Sequence, residues 1–77
     1  MAEYELGKIL KTMCDKAPQG YKVANIHLFG VKYASTILKN NYNVNEIIAA
    51  AGLNKSYATE VSKGVKLSRY VIPKNTP

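Results

Sequence analysis

Residues 44–64 read VNEIIAAAGLNKSYATEVSKG, and the fold turns on this stretch. Asn43 stands just before it, with Glu46 three residues further on. That is the spacing of a capping box, in which the Asn side chain accepts a backbone N–H and the Glu reaches back to the cap. Val44, Ile47, Ile48 and Ala51 then recur as one helical face. Ala49, Ala50 and Ala51 keep this helix slim. Gly52 ends it, because glycine adopts the left-handed backbone that a sharp stop requires. Leu53 is the apolar residue that tucks under the turn. Asn54 or Ser56 caps a further helix running to about Lys63, with Ala58 and Val61 facing inward and Gly64 closing it. Asn54, Lys55, Ser56, Tyr57, Thr59, Glu60 and Lys63 remain for the exposed side. Two short helices meeting steeply across a glycine turn form a helix-turn-helix, and the plainer reading of the same residues is a helical hairpin.

Upstream, the periodicity predicts two more helices. Leu6, Ile9, Leu10, Met13 and Ala17 share one face of a helix from Glu3 to about Lys16, whose early acids suit the positive end of the helix dipole. Pro18-Gln19-Gly20 breaks the chain. A second helix runs from Val23 or Asn25 to Leu38 or Lys39. It carries two apolar stripes, Ile26/Phe29/Gly30/Tyr33/Ile37 and Leu28/Val31/Leu38, so it is either central to the bundle or set against another subunit. Gly30 costs such a helix about 1 kcal/mol relative to alanine, and a close approach of another helix at that point would compensate. Asn40 to Asn43 form a polar connector. Downstream, Val65 to Pro73 reads equally as a short strand, an extended arm or a last turn of helix, and residues 74–77 are expected to fray. The expectation is an all-α, small four-helix domain with a C-terminal helix-turn-helix (about 44–64) and a short extended tail (65–77).

Composition narrows the function. A chain of 77 residues, 47% hydrophobic and 21% charged, is one small domain rather than a disordered segment. One cysteine, Cys14, and one histidine, His27, are too few for an internal disulfide or a structural zinc site. Cys14 reads as a small buried hydrophobe and His27 as a structural residue. No signal-peptide pattern and no membrane-length apolar run is present. Nor is there a phosphate-binding glycine loop or a nucleophile motif. The expectations are no enzyme activity, no cofactor, no metal, no small-molecule substrate, no membrane and a cytoplasmic location. The net charge is +6, and it is unevenly spread. Three lysines balance three acids in the first 20 residues, while eight bases face two acids in the remainder. Charge confined to the part that carries the motif fits a polyanion, although a basic surface also serves solubility.

Glu46-Ile47-Ile48-Ala49, Ala51-Gly52-Leu53, Ser56, Ala58, Val61 and Lys63-Gly64 resemble the helix-turn-helix of the Cro/repressor-like (Xre-type) transcription regulators. Ile48 stands where that family usually has alanine, and two helices rather than one precede the motif, which also fits a small related helix-turn-helix-like group. The resemblance implies a second motif helix lying in the major groove of double-stranded DNA. Lys55, Ser56, Thr59 and Glu60 would then face bases: Lys donates to guanine and Glu accepts from cytosine N4. Asn54 and Lys63 would lie near phosphates, with Lys66 and Arg69 extending the basic strip. Tyr57 either contacts a phosphate or thymine methyl or packs against the preceding helix. Glu60 is the discordant residue, since an unpaired carboxylate repels the DNA backbone.

The implied function is duplex DNA binding by a small prokaryotic or phage transcription regulator, associated with the nucleoid. A single helix reads few base pairs, so a weak homodimer on a two-fold operator is expected. Its surface would be the Leu28/Val31/Leu38 stripe or the apolar tail Val65/Leu67/Val71/Ile72. The alternative is a protein–protein interaction module that reuses the same scaffold. RNA binding ranks below both, because the six tyrosines are not paired for base stacking.

Overall fold

A computed structural model describes residues 2–73. The order is α1 (Glu3–Lys16), α2 (Lys22–Lys39), α3 (Val44–Ala50), a single 3-10 turn (Lys55–Tyr57) and α4 (Ala58–Leu67). The described residues hold four α-helices and no strand, the all-α domain expected. None of these helices is long and apolar enough to cross a membrane.

The helix boundaries follow local chemistry. Glu5 reaches back to the N–H of Ala2 at 2.9 Å and starts α1. The chain turns at Pro18, where the Tyr21 N–H bonds the Pro18 carbonyl, and it enters α2 at Lys22, slightly earlier than the periodicity implied. The polar connector after α2 has a defined shape. Asn41 takes the left-handed conformation (φ 54°), with Tyr42 N–H on Ile37 O and Asn41 N–H on Leu38 O. This is a Schellman motif with asparagine in the glycine position. The same motif closes α3: Leu53 N–H bonds Ile48 O and Gly52 N–H bonds Ala49 O, with Gly52 at φ 71°.

The start of α3 departs from the expected capping box. Asn43 Oδ1 accepts from the Asn45 N–H at 2.9 Å as a cap should. The carboxylate that reaches the Asn43 N–H, however, is Glu3 Oε2 of α1 at 2.5 Å. Glu46 stays exposed. A helix 40 residues upstream therefore supplies the contact that sequence proximity assigned to Glu46.

The core is built from every helix. Leu6 and Leu10 of α1, Ile26, Phe29 and Ile37 of α2, Ile47 and Ile48 of α3, Ala51 at its end and Val61 of α4 form one buried cluster. Tyr33 packs its ring 5.2 Å from that of Phe29. Of the two stripes on α2, the first makes this core. From the second, Leu28 and Leu38 stay exposed while Val31 is half-buried.

Two close approaches hold the helix pairs together. A Cβ on Gly7 of α1 would run into Ala50 Cβ and lie 2.9 Å from Ile47 O of α3. Gly30 of α2 faces α4 as expected, its missing Cβ falling 2.5 Å from Val61 O and 2.9 Å from Gly64 Cα.

Gly64 itself corrects the reading of the C-terminus. It does not close α4, which runs on through Leu67. Gly64 is buried, and a Cβ there would strike His27 O and Gly30 Cα. Val65, Lys66 and Leu67 are consequently helical rather than part of a tail, residues 68–70 form turns, and residues 71–73 take no regular secondary structure. The fraying expected for residues 74–77 lies outside the described residues.

Candidate nucleic-acid interface

The motif is assembled from α3, the Gly52 turn and α4, with Leu53 packed on the core beneath the turn. Asn54, not Ser56, is the cap: its Oδ1 accepts from the Ser56 N–H at 2.9 Å. The 3-10 turn Lys55–Tyr57 leads directly into α4, so the two form one continuous segment.

Helical geometry sorts this segment into two sides. Ala58, Val61, Gly64 and Val65 turn toward the core and α2, buried or half-buried. Thr59, Lys63 and Lys66 lie at i, i+4 and i+7, one outward stripe, and all three are exposed. Asn54, Lys55 and Ser56 are exposed at its N-terminal end, and Arg69 is exposed just past its C-terminal end. Seven of the nine expected contact residues are thus exposed, three of them on one stripe and four at its two ends.

The other two, Tyr57 and Glu60, are half-buried. Tyr57 packs on the core, and the Lys22 ammonium of α2 lies 4.9 Å from its ring centre, a cation–π geometry. Partial burial is therefore its environment. Glu60 is not an unpaired carboxylate. Its Oε1 lies 2.7 Å from His27 Nε2 of α2, and its Oε2 accepts from Lys63 Nζ at 3.4 Å. The hydrogen bond from His27, and then the nearby Lys63, hold the Glu60 carboxyl below its ordinary pKa despite some desolvation. At neutral pH it is an anion with both oxygens engaged.

Lys22 and His27 were not among the residues singled out for the site, and nothing in their own neighbourhood marks them. Each meets a partner more than thirty positions away in the chain, brought near by the Gly30–Gly64 crossing. Cys14, half-buried against the core, has its thiol pKa pushed up chiefly by burial, with Lys22 opposing. That favours the protonated, unreactive form.

No curated protein and no solved structure matches the chain. A family profile described as an HTH-like domain matches residues 2–74. This covers both helices upstream of the motif as well as the motif itself. The helix-turn-helix resemblance accordingly holds at the level of the helix-turn-helix class and not of the Cro/Xre type in particular. With nearly its whole length matched and the motif's turn, cap and helix pair in place, the chain belongs to the HTH-like domain family.

Proposed function

We propose that the protein binds double-stranded DNA, laying α4 and the 3-10 turn before it in the major groove, as a small transcription regulator acting on the nucleoid in the cytoplasm. The observation that carries this reading is the exposed strip of Lys55, Ser56, Thr59, Lys63 and Lys66 on the face of the recognition segment turned away from the core. Ser56, Thr59 and Lys55 face base edges, where a lysine donates to guanine O6 and N7. Asn54, Lys63, Lys66 and Arg69 approach phosphates, and Tyr57 and Glu60 stand at the margin facing α2. Membership of an HTH-like family and the concentration of positive charge after residue 20 support the same conclusion.

The test is fluorescence anisotropy of labelled random and genomic duplexes across a salt series. Micromolar binding that weakens steeply with salt and tightens on some fragments is expected. Replacing Lys55, Lys63, Lys66 and Arg69 together by alanine should flatten the slope of log affinity against log salt by about 3, at about 0.9 for each of the three phosphate contacts. The melting temperature should hardly move, because all four side chains are exposed. Binding at physiological salt that survives the fourfold change would refute the site.

A second reading draws on the exposed apolar residues Leu28, Leu38, Leu67, Val71 and Ile72. On that reading the scaffold grips a protein. Absence of duplex binding even at low salt, with a protein recovered by pull-down that is lost on changing these residues, would favour it.

A further inference from the structure

The recognition segment carries one acid, Glu60, and it is held from outside the motif. His27 sits on α2, on the side that crosses α4 at Gly30 and Gly64, and its own backbone carbonyl is what a Cβ on Gly64 would strike. This tight crossing brings the imidazole within 2.7 Å of the Glu60 carboxylate. The two side chains are 31% and 23% exposed, so they are neither sealed in the core nor free in solvent. Lys63 takes the second carboxylate oxygen. On α4, Glu60 follows Thr59 of the outward stripe and lies one helical step round toward α2.

Resting on the DNA reading above, we propose that His27 is a positioning residue for the DNA face. It pins Glu60 against α2, and its proton makes duplex binding stronger as pH falls. The reasoning is electrostatic. A carboxylate swung onto the outward stripe would face the phosphates and repel them. With one oxygen on His27 and the other on Lys63, Glu60 is drawn toward α2 and away from the outward stripe, so it sets the charge of the face rather than reading sequence.

Histidine changes charge between about pH 5 and 8. With neutral His27 the His27–Glu60 pair carries one negative charge, and with protonated His27 it carries none. A polyanion therefore favours the protonated form, and binding takes up part of a proton. The charged and titratable groups facing the imidazole are Glu60, Lys63 and Lys66 from α4 and Tyr70 from the turn that follows, all but Glu60 lining one groove with it. On α2 itself, Lys22 is turned to the Tyr57 ring.

The full chain is titrated with a random-sequence duplex carrying a pH-insensitive dye, from about pH 8 to about pH 5.5 at fixed salt. The wild-type protein should bind roughly three- to tenfold more tightly at the acid end, within the limit of about one decade per pH unit that one proton sets. His27→Gln keeps a side-chain donor for Glu60 but cannot titrate. It should match wild type near pH 8 and lose the pH profile. His27→Ala releases Glu60 and should weaken binding at pH 8, and in a Glu60→Gln background the same change should cost nothing.

A His27→Gln profile identical to that of wild type, or a His27→Ala loss that persists unchanged in Glu60→Gln, overturns the positioning role while leaving DNA binding intact. No binding by wild type at any pH in low salt overturns both. Thermal melts followed by circular dichroism establish that each variant is folded. Should His27→Ala fail to fold, the comparison of wild type with His27→Gln still decides the question.

Discussion

Gly52 and Gly64 look alike in the sequence, each following a helix-sized run, yet they do opposite things. Gly52 has φ 71° and open space where a Cβ would point, so its use is conformational. Gly64 is inside a helix and buried, and a Cβ there would meet the backbone of α2, so its use is the absence of a side chain. These uses predict different penalties. Gly52→Ala should cost about 1 kcal/mol, the price of a left-handed conformation for a residue with a Cβ. Gly64→Ala must push two helix backbones apart and should cost about 1–3 kcal/mol or more, as overpacking does. Urea unfolding of both variants checks the order, and a Gly64→Ala midpoint at or above that of Gly52→Ala would refute the close-crossing account. Gly30 was legible because a glycine amid an apolar helical stripe has no capping use. Gly64 was not, because Val65 to Pro73 offered no clear continuation of a helix and so made it look terminal.

Among the elements, α1 was legible end to end and α2 and α3 to within a turn, while α4 was read four residues short at its C-terminus. Apolar spacing and glycine or proline punctuation report the local backbone directly. What stayed hidden was which element completes another. Helix α3 has only seven residues, too short to persist alone, and its start is held by Asn43 from within and Glu3 from α1. Asn43→Ala should destabilise the protein by about 1 kcal/mol. Glu3→Ala should cost less, about 0.5–1 kcal/mol, because its bond to the Asn43 N–H is exposed. Since both act on the same helix start, the double variant should lose less than the sum. Thermal melts give the comparison, at about 4–8 °C per kcal/mol for a domain this size. Glu46→Ala, in contrast, should leave the melting temperature nearly unchanged.

For the molecule as a whole, a radius of gyration of 11.1 Å is close to the roughly 11.5 Å expected of a folded chain this long. One core thus serves all four helices. Its surface carries the basic stripe of α4 and, elsewhere, exposed apolar residues of α2 and the C-terminal segment. Val31, Val71 and Ile72 line one groove, which joins the two surfaces that the sequence offered separately for self-association. A homodimer on a two-fold operator, which the helix-turn-helix resemblance implies, would bury these residues against a second copy. Leu28→Asp with Ile72→Asp should then reduce the mass seen by sedimentation equilibrium from two chains toward one. Operator affinity should fall by about tenfold or more through loss of the linked second half-site, with the helical circular dichroism spectrum retained. An unchanged single-chain mass in both proteins would sink the dimer.

Four helices, the glycine turn of the motif, the Asn43 cap of α3, the core stripes and the uneven charge were all readable from the order of residues. All of these are expressed within a few residues of one another through periodicity, caps and backbone freedom. Packing in three dimensions set the rest: α4 continues past Gly64, Glu3 rather than Glu46 reaches the start of α3, and Lys22 and His27 border α4 and the turn before it. Those features depend on where a helix lies in space after the core has closed. His27 and Glu60, 33 positions apart, are neighbours because two glycines without Cβ atoms let α2 and α4 cross close enough for their side chains to meet.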